Sequence, residues 1–164
     1  MTASNDPHVN ERIRLWNGAV LPEWLDYNGH MTEHRYLQVF GESSDALYRE
    51  LGVNFERASD GAYYTLETHI RHRAEAKVGT RLRSETEILG YDEKRLHLYH
   101  VLFDASGKLL ATGEHLSIHV RDSLASPASE TMVNKIGQIF NTQKALLLPE
   151  GTGSVLKKQL RFSR

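Results

Sequence analysis

Asp26-Tyr27-Asn28-Gly29-His30-Met31 runs without a break into a helical pattern that opens at Glu33. An acid, a flexible glycine and a helix N-terminus within a dozen residues supply two things that acyl transfer to water needs. One is a carboxylate to attack or to activate water, and the other is a set of backbone N–H groups to hold a developing oxyanion. The spacing alone also suits a plain loop before a helix, where short polar residues are common. From Glu33 onward Leu37, Phe40, Ser44, Leu47, Tyr48 and Leu51 recur at three- and four-residue steps, with small Gly41 and Ser44 alongside. That stripe predicts one long amphipathic helix, and Gly52 is placed to cap its C-terminus.

Working outward, Arg12 to Val20 reads as a short strand that ends before Pro22. After the helix the period changes to two. Tyr64, Leu66, Thr68 and Ile70 alternate with Tyr63, Thr65, Glu67 and His69, and Leu82, Ser84, Thr86 and Ile88 alternate with Arg81, Arg83, Glu85 and Glu87. Arg95–Phe103 and Leu109–Val120 are strand-like, and Asp104-Ala105-Ser106-Gly107 between them is a good hairpin turn. The order predicts an α+β fold in which an antiparallel sheet presents one apolar face to a long helix. A second amphipathic stretch runs from Ala128 to about Gln143 through Met132, Val133, Ile136, Ile139 and Phe140. It is expected outside the meander or against a partner subunit. Pro149 to Arg164, rich in Gly and Lys/Arg, is expected to be a mobile tail. The expected organisation is one domain over residues 1–128, with its core about 10–122, followed by the C-terminal helix and tail over 129–164.

Composition excludes several chemistries. The chain has 164 residues, 40% hydrophobic and 25% charged, with a formal net charge of -1, which suits one globular domain with a substantial core. A pI near 6.8 offers no electrostatic case for nucleic acid or an anionic membrane. The absence of cysteine excludes thiolate metal sites and cysteine nucleophiles. Met1 to Pro7 lacks the apolar core of a signal peptide, no apolar run is long enough to span a bilayer, and the cytoplasm is the expected compartment. No dinucleotide or phosphate-binding glycine loop and no Gly-x-Ser-x-Gly elbow is present, so no cofactor is expected. Nine histidines invite a metal site. However, His69 and His72 point to opposite faces of a strand, as do His97 and His100. His115 and His119 share a face but lie about 13 Å apart. No metal is expected, and these histidines read as polar residues on a half-exposed sheet.

Asp26-Tyr27-Asn28-Gly29-His30-Met31 followed by Arg35-Tyr36-Leu37 resembles the signature of hotdog thioesterases of the 4-hydroxybenzoyl-CoA type, in which an acid opens the central helix. Trp24 to Glu33, Arg35 to Gly41, Tyr63-Tyr64-Thr65, Glu67 to Ile70, Asp92 to His97 and Leu110 to Glu114 together resemble its betainyl-CoA branch, including the thioesterase domain fused to some L-carnitine dehydrogenases. The resemblance spans about Ala19 to Val120. It implies a hotdog fold, a sheet wrapped around a central helix, and hydrolysis of an acyl-CoA substrate, betainyl-CoA to betaine and CoA in carnitine breakdown. Asp26 aligns with the catalytic carboxylate, as nucleophile or as general base. Asn28, Gly29 and His30 belong to the same substrate-binding turn, with N–H groups around Thr32 and Glu33 facing the carbonyl oxygen. Many relatives carry Asn where this chain has Thr32. Glu67 is either an auxiliary base or cation partner, or a charge on an exposed strand face. The quaternary ammonium of a betainyl group calls for aromatic faces, for which Trp24, Tyr27, Tyr36, Tyr63 and Tyr64 are candidates and Trp24 the foremost. The family pairs through its sheets, which implies a homo-oligomer, a dimer or tetramer. A general short-chain acyl-CoA thioesterase, a hotdog hydratase and a non-catalytic acyl-CoA-binding module are the alternatives. The hydratase pattern keeps Asp and His five apart, whereas Asp26 and His30 are four apart.

Overall fold

The helix stripe decides what the sheet must cover. A computed structural model describes residues 11–153. Its elements are β1 (Ile13–Ala19), a 3-10 turn (Pro22–Trp24), α1 (Glu33–Glu50), a second 3-10 turn (Ala58–Asp60), β2 (Ala62–His72), β3 (Arg81–Tyr91), β4 (Arg95–Asp104), β5 (Leu109–Arg121), β6 (Leu124–Ala125) and α2 (Glu130–Gln143). The sheet is antiparallel in the order β1-β3-β4-β5-β2, and β6 pairs with β5. Tyr36, Val39, Phe40, Ser43, Ser44, Leu47 and Tyr48 form the buried face of α1. Leu37, expected in that stripe, is 46% exposed. At α1's C-terminus Gly52, at φ +97°, donates to Arg49 O and Val53 donates to Tyr48 O, the paired bonds of a Schellman cap.

Two apolar clusters lie along α1. Tyr36, Val39 and Phe40 pack with Leu82, Leu102 and Leu110, while Leu47, Tyr48 and Leu51 pack with Ile88, Leu96 and Leu98. The rings of Phe40 and β5 approach so closely that a Cβ on Gly113 would lie 2.6 Å from Phe40 Cδ2. Between the clusters runs a polar layer. Ser44 Oγ donates to Phe40 O at 3.0 Å and so accepts from His100 Nε2 at 2.8 Å, while Thr86 Oγ1 meets His100 Nδ1 at 2.9 Å. That set of bonds fixes a neutral ring with its proton on Nε2. His115 stands 5.0 Å away, ring to ring, and its Nδ1 is 3.3 Å from Thr68 Oγ1. The half-exposed sheet expected for the histidines is therefore wrong for His100, His115 and His119, which are at most 2% exposed on the helix-facing side. Among the described residues no three His, Cys, Asp or Glu side chains gather as a metal site would require.

The expected alternation of β2 also needs correction. A bulge between Thr65 and Glu67 changes its phase. Tyr63 is buried before it, Tyr64 and Leu66 are 59% and 53% exposed, and after it Thr68 and Ile70 face the core. The second helix does not pack outside the meander. Met132 and Ile136 join the cluster of Leu47 and Leu51, so α2 shares the core of the preceding domain. Its last residue, Gln143, is 2% exposed and acts as a surrogate strand. Its Oε1 accepts from Ile88 N at 2.9 Å and its Nε2 donates to Thr86 O at 3.1 Å, at the edge of β3. Of the expected mobile tail, residues 154–164 lie outside the described residues. Pro149–Gly153 is anchored, since Gly153 N donates to Glu114 Oε1 at 2.8 Å and Arg71 Nη1 donates to Glu150 O at 3.3 Å.

The polar layer sets an acid limit to stability. Burial lowers His115 from an ordinary 6.5 to about 4, and burial together with His115 lowers His100 well below 6.5. Both folded values lie under the unfolded one, so this contribution is fully present above pH 6.5 and is lost as pH falls toward 4. His115 alone should account for about 3 kcal/mol between those limits. Denaturant unfolding at pH 7.5 and 4.5 should show a steeper loss in wild type than in His115→Leu. Equal losses in the two proteins would disprove the assignment.

Candidate active site

The turn that carries Asp26 is a closed loop of backbone bonds. Leu25 bridges Met31, Asp26 N donates to His30 O at 2.8 Å, and Gly29 N donates to Asp26 O at 3.0 Å. Asp26 Oδ1 accepts from Asn28 N at 2.8 Å and from His30 N at 3.3 Å, which leaves Oδ2 outside the turn's own bonds. Gly29 takes φ +76°, a conformation that L side chains rarely adopt, with nothing near enough to clash with an added Cβ. The loop is tied down on both sides, by Met31 N to Ala76 O and Thr32 N to Trp24 O, each 2.8 Å.

Those ties correct the expected oxyanion donors. The N–H of Thr32 is already used, and Arg35 N donates to Thr32 O. Among the described residues, the N–H groups of Glu33 and His34 have no acceptor and open the helix at an exposed position. Beside them lies a cleft of about 400 Å³ lined by Met31, Glu33, Tyr36, His72, Arg73, Ala74 and Glu75. Glu75 Oε2 reaches His30 Nε2 at 3.2 Å, so the His30 ring turns to Glu75 while only its backbone meets Asp26. That arrangement does not build the Asp–His dyad of a hydratase. The Tyr36 hydroxyl donates to Ala74 O at 3.3 Å, and its ring meets His72 edge-on at 4.8 Å. Burial raises the Tyr36 phenol above its usual pKa, and the negative charges of Glu75 and Asp26 add to that rise.

The expected aromatic set does not assemble within one chain. Trp24 is 7% exposed, and the Arg35 guanidinium already lies over its ring at 5.6 Å. Tyr27 stands out in solvent at 97% exposure. Tyr63 stacks on Tyr48, which is three helical turns, or about 18 Å, along α1 from Tyr36. Tyr64 is exposed. Only Tyr36 of the five lines the cleft. Glu67 is also turned away. Thr68, Ile70 and His72 face α1, so the preceding Glu67 points to the opposite side of β2. Of the residues that sequence reasoning missed, His72 ends β2, and Ala74 and Glu75 follow just after it. No local pattern joins that segment to Asp26, because the connections, Met31 N to Ala76 O and His30 Nε2 to Glu75 Oε2, form only on folding. A larger cavity of about 550 Å³, between β1 and α2 beside Arg12, Arg14 and Gln138, lacks this chemistry.

Comparison with known proteins identifies the family of the chain. The profile of the thioesterase-like superfamily matches residues 20–146. The betainyl-CoA thioesterase of Pseudomonas aeruginosa is 39% identical over 155 residues, covering 90% of this chain and 96% of that one. The L-carnitine dehydrogenase/betainyl-CoA thioesterase of Agrobacterium fabrum is 45% identical over 148 residues, 88% of this chain. The chain spans about 30% of the length of that two-activity relative. Among solved structures, a Staphylococcus aureus protein in complex with CoA superposes with a TM-score of 0.81 at 23% identity, covering 87% of this chain and 94% of that one. The 1,4-dihydroxy-2-naphthoyl-CoA thioesterase of Synechocystis gives 0.66 at 17%, covering 82% and 97%. These likenesses establish the hotdog fold.

The turn's conformation generates a test. Gly29→Ala meets no clash but must hold φ +76°, which should cost about 1–2 kcal/mol. Urea unfolding measures it, and an unchanged midpoint would mean that the turn relaxes freely.

Proposed function

The chain belongs to the thioesterase-like superfamily, and we propose that it hydrolyses the thioester of betainyl-CoA to betaine and CoA. The observation that carries this reading is one arrangement. An acid locked by its own turn acts on Tyr36 in the wall of a cleft that also takes in Glu33, at a helix start where the N–H groups of Glu33 and His34 are unused among the described residues. In the reaction the acyl carbon gains oxygen from water and the CoA sulfur leaves with a proton. Asp26 either takes the proton from water and returns it to the sulfur, or attacks the carbonyl carbon to form an anhydride that water then opens. The N–H groups of Glu33 and His34 hold the oxyanion in both routes. The names of the relatives supply the acyl group. We place this reaction in carnitine breakdown, since one relative's name joins the thioesterase to an L-carnitine dehydrogenase, and propose the cytoplasm as its compartment. No helix among the described residues is long and apolar enough to cross a membrane.

Asp26→Asn retains an Oδ1 acceptor for the turn and removes the basic charge. Thiol release from betainyl-CoA should fall by about 10²–10⁴-fold in kcat with the melting midpoint little changed. Near-normal turnover in the folded variant would remove Asp26 from the chemistry. A wild type that binds CoA thioesters without releasing thiol would point instead to a binding module.

The same reading includes a homodimer at least. β2 ends the sheet, and among the described residues its 11 residues have one backbone edge without a partner strand, beside exposed Tyr64 and Leu66. Light scattering at micromolar concentration should give a mass of two or four 18.7 kDa chains. A mass of one chain would contradict pairing at this edge.

A further inference from the structure

Betainyl-CoA places its trimethylammonium one methylene from the reacting carbonyl. If Asp26 and the N–H groups of Glu33 and His34 face that carbonyl, the cation must lie within a side chain's length of them. It carries no N–H, so a protein recognises it through ring faces, apolar walls and carboxylates rather than hydrogen bonds. The cleft offers Met31 and the crossed rings of Tyr36 and His72. The lining carries the carboxylates of Glu33 and Glu75 against the guanidinium of Arg73, and a third carboxylate, Asp26, lies near enough to raise the Tyr36 phenol. Trp24 cannot serve in the same way, because Arg35 already covers its ring and would repel a second cation.

Of the three carboxylates, Asp26 is committed to the chemistry, and Glu33 is exposed on the first turn of α1. Glu75 alone is pinned at the cleft by a neighbour, with Oε2 3.2 Å from His30 Nε2. The His30 backbone in turn holds Asp26 Oδ1. That chain of contacts sets Glu75 close to the reacting group. Because a quaternary ammonium asks for no hydrogen bond, Glu75 can keep its bond to His30 while its charge faces the cation.

The geometry points to Glu75 as the residue that selects a cationic acyl group, with Tyr36 and His72 as the walls of the ammonium subsite. This assignment rests on the thioesterase reading above. Glu75→Gln tests it cleanly, since glutamine still accepts from His30 and only the charge is removed. The readout is kcat/KM for wild type and variant on betainyl-CoA and on 3,3-dimethylbutyryl-CoA, the nearly isosteric neutral ester. Each substrate is compared with itself, so differences in intrinsic reactivity cancel. The Glu75 side chain is 76% exposed, which limits the effect. The variant should lose about three- to tenfold on betainyl-CoA and stay within about twofold on the neutral ester. The selective loss should shrink in high salt. Equal losses on both esters would make Glu75 a support of the Asp26 turn acting through His30. No loss on either would remove it from the site. Both results overturn the assignment while leaving the hydrolase intact. Wild type that hydrolyses only the neutral ester overturns cation selection. Wild type that hydrolyses neither overturns the thioesterase reading, and this inference with it.

Discussion

Two backbone bonds fix where the helix begins, and the site depends on them. Met31 N reaches Ala76 O and Thr32 N reaches Trp24 O. Together they clamp a six-residue loop between the segment after β2 and the 3-10 turn before it. A helix start leaves its first N–H groups without intrahelical acceptors. Because Thr32 spends its N–H on Trp24 and Arg35 its own on Thr32, those of Glu33 and His34 remain, among the described residues, to face a ligand. Asp26 is held on the same loop by the N–H groups of Asn28 and His30. Acid and donors are therefore positioned by one piece of backbone, and neither depends on a flexible side chain for its place.

The core keeps that piece of backbone from moving. Phe40 is fully buried against β5, where Gly113 leaves room for its ring. Fixing α1 there fixes its first turn as well. The layer of Ser44, His100, Thr86 and His115 interrupts the apolar packing and adds directional bonds across three elements. Such a layer specifies the depth and rotation of the helix more narrowly than apolar contact does, because buried polar groups must find their partners. Its cost is the sensitivity to acid that two buried neutral imidazoles carry.

Periodicity made most of the architecture legible, since helix and strand repeats are local. It named α1, the antiparallel sheet, α2 and the alternation of Leu82, Ser84, Thr86 and Ile88 with charged residues, and the structure buries that first set. It failed where a long-range contact overrides local pattern. The β2 bulge reverses which residues face the core, and an alternation rule has no means of seeing an inserted residue. The buried histidines look polar one at a time; folding gives His100 its partners on α1 and β3 and gives His115 Nδ1 one on β2. In the site, Asp26 and its turn were visible because they are contiguous. Trp24 looked like a cation receptor from its position in the chain, but its ring is occupied by Arg35, eleven residues later. Glu75 was invisible because folding alone brings it to His30.

The central claim is that this cleft hydrolyses a thioester and favours one with a positive charge beside the carbonyl. The most direct measurement is wild-type kcat/KM for betainyl-CoA and for 3,3-dimethylbutyryl-CoA, each divided by its uncatalysed hydrolysis rate. A desolvated cation on an aromatic wall contributes about 2 kcal/mol, which corresponds to roughly 30-fold. The account predicts that the charged ester leads by about that factor after correction. A corrected ratio near one would contradict it and leave a thioesterase indifferent to charge.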